Sequence, residues 1–208
     1  MKSAHVWMAV AALAGAVVVN VNAPVHAQSA GEAIRLSAWA VNMSNIATGA
    51  NAVMEIRVDR WSSERERDEL IATFVEGGQD RLLAKLRDVP IKGRIHIPSW
   101  MGPDPYQVRL GWNLRFAMRT PTGDGGADIL LATDRYMNFF EVRNRPRTYD
   151  YPFTFVEIRL ASDGTGEGKM AVATQLRFDK REKAIVFEDY SSEPVRLMNV
   201  KVEKSPAA

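Results

Sequence analysis

The sequence predicts a mainly β domain: an antiparallel barrel or sandwich of about eight or nine strands, with a helical hairpin inserted at 62–89. Three observations carry this. Apolar and polar residues alternate along several short runs, which is the period of a half-buried strand. Turn signals recur about every ten residues, the spacing of sandwiches and barrels. Over the stretch 62–89 the apolar period changes to that of a helix.

The elements follow in chain order. Residues 32–41 and 50–60 read as strands. In the second, Ala52, Met54, Ile56 and Val58 share one face, and Glu55, Arg57 and Asp59 share the other. The polar stretch between the two strands contains Gly49 and reads as a loop. Ser63 and Glu66 then have capping-box spacing, in which the hydroxyl accepts from a free N–H and the carboxylate reaches back. Leu70, Ile71, Phe74 and Val75 recur at helical spacing until Gly77 and Gly78 stop the helix. A second short helix, Gln79 to Val89, carries Leu82, Leu83 and Leu86 and is halted by Pro90.

Strands resume at 93–98. The clearest alternation in the chain is 107–119. There Val108, Leu110, Trp112, Leu114, Phe116 and Met118 interleave with Arg109, Gly111, Asn113, Arg115, Ala117 and Arg119. A turn from Pro121 to Gly126 leads to a strand at 127–134, making a hairpin. Strands at 152–161, 168–178, 183–189 and 194–202 complete the set. Turns fall at 162–168, around Lys180 and Arg181, and from Ser191 to Pro194. Trp39, Trp61, Trp100, Trp112, Phe116, Phe153 and Phe155 are mostly at inward-type positions, as core or as the lining of an apolar cavity.

The chain has 208 residues, 27 Lys+Arg, 25 Asp+Glu and no cysteine. Its hydrophobic share of 46% is that of an ordinary globular protein, which excludes a wholly disordered chain. The missing thiols exclude disulfides, thiolate metal sites and a cysteine nucleophile. Lys2, the apolar run Met8 to Val19 and the small-residue ending Val25-His26-Ala27 have the layout of a secretory signal peptide. That run is shorter than the ~20 residues needed to span a bilayer, so no transmembrane anchor is expected after processing. The expected organisation is a signal peptide at 1–27, one β-rich domain at 28–202 and a loose tail at 203–208. The expected location is the periplasm or the outside of the cell.

Cleavage after Ala27 would remove His5 and His26 and leave His96 as the one histidine. A zinc site built on two or three histidines is then excluded, as is a facial triad of two histidines and a carboxylate. A near-zero net charge gives no electrostatic case for nucleic acid. No metal or cofactor site is expected.

His96, between Ile95 and Ile97, reads as a strand histidine rather than a general base. Glu55, Asp59, Asp150 and Glu157 are the candidates for paired-carboxylate chemistry, but Glu55 and Asp59 share their face with Arg57, as in a salt-bridge row. Asp124, Asp128, Asp163 and Glu167 lie in glycine-rich turns without the calcium-loop pattern, so they read as turn formers. The binding candidates are Arg143, Arg145, Arg147, Tyr149 and Tyr151, crowded into one connection, together with Trp112. Arginine and tyrosine combine contact area with directional donors.

The stretches SNIATGANAVMEIRVDRWSS, GWNLRFA, NRPRTYDYPFTFVEIRL and GEGKM resemble a group of exported bacterial proteins to which no activity is assigned. The resemblance spans nearly all of the chain after the leader. It implies an exported single-domain product, and no catalytic residue carries over. The functional expectation is therefore non-enzymatic binding of a small apolar ligand or a protein partner. The alternative is a hydrolase working with Asp and Glu alone.

Overall fold

The computed structural model describes residues 31–43, 49–98, 111–135, 137, 154–171, 175–179, 184–188 and 195–203. Eight strands close into an antiparallel barrel: β1 (Ile34–Asn42), β2 (Asn51–Val58), β3 (Gly93–His96), β4 (Trp112–Pro121), β5 (Ala127–Thr133), β6 (Phe155–Leu160), β7 (Thr165–Ala171) and β10 (Val195–Val202). Each pairs with the next along the chain, and β10 returns to β1. Two insertions interrupt this up-and-down path. The helical element α1 (Glu64–Asp88) lies between β2 and β3. A two-stranded ribbon, β8 (Gln175–Asp179) and β9 (Ala184–Glu188), lies between β7 and β10.

Alternation puts one face of each strand into the barrel. Ala52, Met54, Ile56 and Val58 of β2 are all buried in the lumen cluster, while Glu55 and Arg57 face solvent, as their period dictates. The same cluster holds Leu36, Ala38 and Ala40 from β1, Leu114 from β4 and Leu197 from β10. An eight-stranded barrel is just wide enough for side chains to fill. Met54, Leu114, Leu131, Val156, Ile158 and Val200 have no accessible surface at all. The lumen is a packed core.

β7 begins at Thr165, so the glycine-rich stretch expected to be turn as far as 168 is strand from 165 onward. The reason is steric. Gly166 and Gly168 lie in register with lumen residues Val200 and Leu197. A Cβ on either would stand 2.2 or 2.4 Å from a backbone carbonyl of β6. Glycine there permits the close strand approach that closes the barrel. The single strand expected at 168–178 is likewise two, β7 ending at Ala171 and β8 starting at Gln175. The turn around Lys180 and Arg181 lies outside the described residues.

The alternation in β4 changes phase. Leu114 pairs with Thr133 but Phe116 pairs with Ala132, so Arg115 is an extra residue, a β-bulge. Trp112 and Leu114 face the lumen before the bulge, and Ala117 does so after it. Phe116 and Met118, expected on the face of Trp112, are thereby turned to the outer wall, where α1 covers them.

α1 begins with the expected capping box. The Ser63 N–H donates to Glu66 Oε2 at 2.8 Å, and the Glu66 N–H donates to Ser63 Oγ at 3.2 Å. The expected break falls at Gly78, whose backbone (φ 66°, ψ −161°) is not helical. Lys85 Nζ lies 3.9 Å from Glu69 Oε2. In a straight helix these residues would be about 24 Å apart along the axis. The two halves therefore fold back on each other as a hairpin. Leu70, Phe74, Leu82 and Leu86 are buried on its inner side, whereas Val75, expected there, is 54% exposed. Each covered leucine contributes about 1.5–3 kcal/mol.

The Gly78 backbone is in a region that essentially only glycine populates. Gly78→Ala is expected to cost about 1–3 kcal/mol in urea unfolding. An unchanged midpoint would mean that the hairpin bend does not depend on this residue.

Candidate functional site

The sheet topology sorts the connections by end. At one end, strands open onto the long stretches 97–111, 134–154 and 172–194. The other end has the short turns 122–126 and 161–164 and the connection 59–92 that carries α1. Met137 and Thr154, at either side of 138–153, are joined: the Met137 N–H donates to Thr154 Oγ1 at 2.8 Å. Buried Thr133 and Thr154 lock that junction, with the Thr133 N–H donating to the Thr154 carbonyl at 3.0 Å. Arg143, Arg145, Arg147, Tyr149 and Tyr151, the residues singled out in this connection, lie outside the described residues. Trp112 is placed inside the barrel, 2% exposed, and its Nε1–H has no hydrogen-bond partner among the described residues.

The other aromatics divide three ways. Phe116 and Phe155 are buried against α1, outside the lumen. Trp61 is half-buried on the barrel core and donates to the Glu32 carbonyl at 3.1 Å. Trp39 points outward and is 48% exposed, so the inward expectation fails for it. Trp100 and Phe153 lie outside the described residues.

Several described carboxylates pair with basic side chains. Arg57 Nε lies 2.9 Å from Asp59 Oδ1, as the shared face implied. Glu55 is 3.7 Å from His96 Nδ1, Asp128 is 3.0 Å from Arg159 Nε, and Asp134 is 2.7 Å from Arg115 Nε. Among the described residues no three of His, Cys, Asp and Glu are grouped to hold a metal. Asp124 and Asp163 act as turn formers. The hydroxyl of Thr122, then the Gly126 N–H, hold the Asp124 carboxyl below its ordinary value; the Thr165 hydroxyl and N–H do the same for Asp163.

An apolar cleft with the character of a binding site lies outside the lumen, between the hairpin and the barrel wall. Leu70, Ile71, Leu82 and Leu86 of α1 form one side. Phe116, Leu130, Ala132 and Phe155 form the floor, and Leu176 of β8 closes an edge. The cleft has a cavity volume of about 60 Å³ beneath an open mouth, and its exposed wall is almost wholly carbon. The one charged residue lining it, Arg67, has a side chain 10% exposed, and its Nε and one terminal nitrogen donate to Asp68 Oδ1 at 3.0 and 2.9 Å.

Polar fixings hold the roof in place. The Leu176 N–H donates to Gln79 Oε1 at 2.8 Å, tying the ribbon to the second half of the hairpin. Arg115, the bulge residue, donates to the Val89 carbonyl at 2.7 Å, just past the hairpin's end. Lys92 is ion-paired with Glu66 at the hairpin's start.

A signal for this cleft was present in the sequence. Ile129, Leu130, Leu131 and Ala132 are consecutive and apolar, so both faces of β5 call for cover. The lumen covers one face and the hairpin covers the other.

The sequence matches no protein-family model and no curated protein, and no solved structure matches the chain.

Proposed function

We propose that this protein is a non-enzymatic binding module that takes a small apolar molecule into the cleft between the hairpin and the outer barrel wall. The observation that carries the reading is a carbon-lined cleft that is open to solvent. The barrel interior, the other place for such a ligand, is already filled by its own side chains. Apolar area removed from water supplies about 25 cal/mol per Å², so an apolar guest needs no charged anchor. With this goes export: removal of residues 1–27 would deliver the domain to the periplasm or the outside of the cell, and mass spectrometry of the exported protein would then start at Gln28.

The test is fluorescence titration with N-phenyl-1-naphthylamine, a neutral apolar probe. Ala132 is the small residue in the floor, so Ala132→Phe fills the cleft from below. The expected result is saturable binding that weakens about tenfold or more in Ala132→Phe and in Leu130→Trp, with the melting transition kept in at least one of them. Equal affinity in folded variants would overturn the reading.

A further inference from the structure

A second surface, on the opposite side of β1, has a different chemistry. The alternation that sends Ile34, Leu36, Ala38 and Ala40 into the lumen leaves Trp39 on the outer wall. In register it stands between Val53 of β2 and Met198 of β10. Met198 is 45% exposed. The register breaks in β10 against both of its neighbours, between Leu197 and Val200 on one side and between Ser37 and Trp39 on the other. Asn199 has φ 51°, the one positive value for a non-glycine residue among those described. This bulge turns two consecutive side chains, Met198 and Asn199, to solvent beside Trp39.

Beyond Asn199 a shallow open groove of about 490 Å³ runs between β10 and β7. Thr165, Glu167, Asn199 and Lys201 line it, with Asp124 and Arg159 at its β5–β6 side. Asp124, Arg159 and Thr165 are held by neighbours: Thr122 and Gly126, Asp128, and Asp163. Glu167, Asn199 and Lys201 have no side-chain partner among the described residues. They offer an acceptor, an amide that both donates and accepts, and a donor.

We propose that this wall is a glycan-binding face. One sugar ring stacks on Trp39, and the adjoining residue of the saccharide lies in the groove against Asn199, Glu167 and Lys201. A sugar hydroxyl both donates and accepts, so it suits a groove of mixed polarity. The electron-rich indole face attracts the weakly positive C–H face of a pyranose. An anionic bilayer fits less well, since Glu167 and Asp124 would be pressed against its phosphates. This site is separate from the apolar cleft, so either proposal can fail alone.

The test is binding of the full protein to a printed glycan array and to purified peptidoglycan sacculi. The expected result is retention on at least one of them. It should fall about tenfold or more in Trp39→Ala, survive in part in Trp39→Tyr, and fall in Asn199→Ala and Glu167→Gln. Trp39 is half-exposed, so Trp39→Ala should melt near the parent and bind N-phenyl-1-naphthylamine with unchanged affinity. No retention on any glycan, or retention indifferent to Trp39→Ala, would overturn the proposal. So would Trp39-dependent binding to phosphatidylglycerol vesicles without glycan binding.

Discussion

Replacing Glu66 by Gln is expected to destabilise the protein by on the order of 3 kcal/mol, among the largest losses from any single polar change. The reason is Lys92. Its side chain is 2% exposed and its ammonium is ion-paired with Glu66, the same residue that closes the capping box with Ser63. Removing one partner of a buried pair leaves a charge without water or counterion, which typically costs about 3–5 kcal/mol. The low end applies because Glu66 itself is one-third exposed. Glu66→Gln with Lys92→Met removes both charges, and most of the loss should return. A single variant as stable as the parent in urea would contradict this.

The same pair gives the protein an acid sensitivity. Burial pushes the Glu66 carboxyl up. The hydrogen bond from Lys92, the Ser63 N–H, the Lys92 charge and the Ser63 hydroxyl together outweigh it and hold the carboxyl below its ordinary 4.5. A carboxyl whose folded value is depressed adds stability that is fully present above the unfolded value and is lost as pH falls through the folded one. The parent should therefore lose stability as pH drops below 4.5, and the double variant should lose less over that range.

Trp112→Ala is the second large effect, about 3–5 kcal/mol. Trp112 belongs to the lumen cluster, in register with Ile95, so its removal leaves a cavity that a closed barrel cannot collapse around. Among the described residues its indole N–H finds no acceptor, so what the substitution loses there is packing. Urea unfolding should show the loss. The affinity of a folded Trp112→Phe variant for the apolar probe should match the parent's, because Trp112 does not line the cleft. A drop in probe affinity would return the ligand to the lumen.

What could be read from the sequence was what depends on local patterns. The period-two face of β2 and the Ser63–Glu66 capping box are set by neighbours a few residues away, and both appear as written. So does the break at Gly78, because the bend needs only a backbone that glycine alone adopts readily. The phase of β4 was not legible. The extra residue, Arg115, is defined by pairing with β5 and by its bonds to Asp134 and Val89, contacts distant in sequence. For the same reason strict alternation puts Phe116 on the lumen face, whereas the bulge turns it to the outer wall.

The glycines of β7 misled in the opposite direction. As a string they resemble a turn, and only the barrel's closure explains them as strand. The cleft was half-written in the doubly apolar β5 and in the inner leucines of the hairpin. Its open mouth depends on how far the hairpin stands from the wall, which no periodicity records.

The most direct measurement is methyl NMR of leucine-labelled protein titrated with N-phenyl-1-naphthylamine. A guest beneath the hairpin should shift Leu70, Leu82, Leu86 and Leu130 and leave Leu36, Leu114, Leu131 and Leu197 in place. Shifts confined to the second group would put the guest inside the barrel and contradict the assignment.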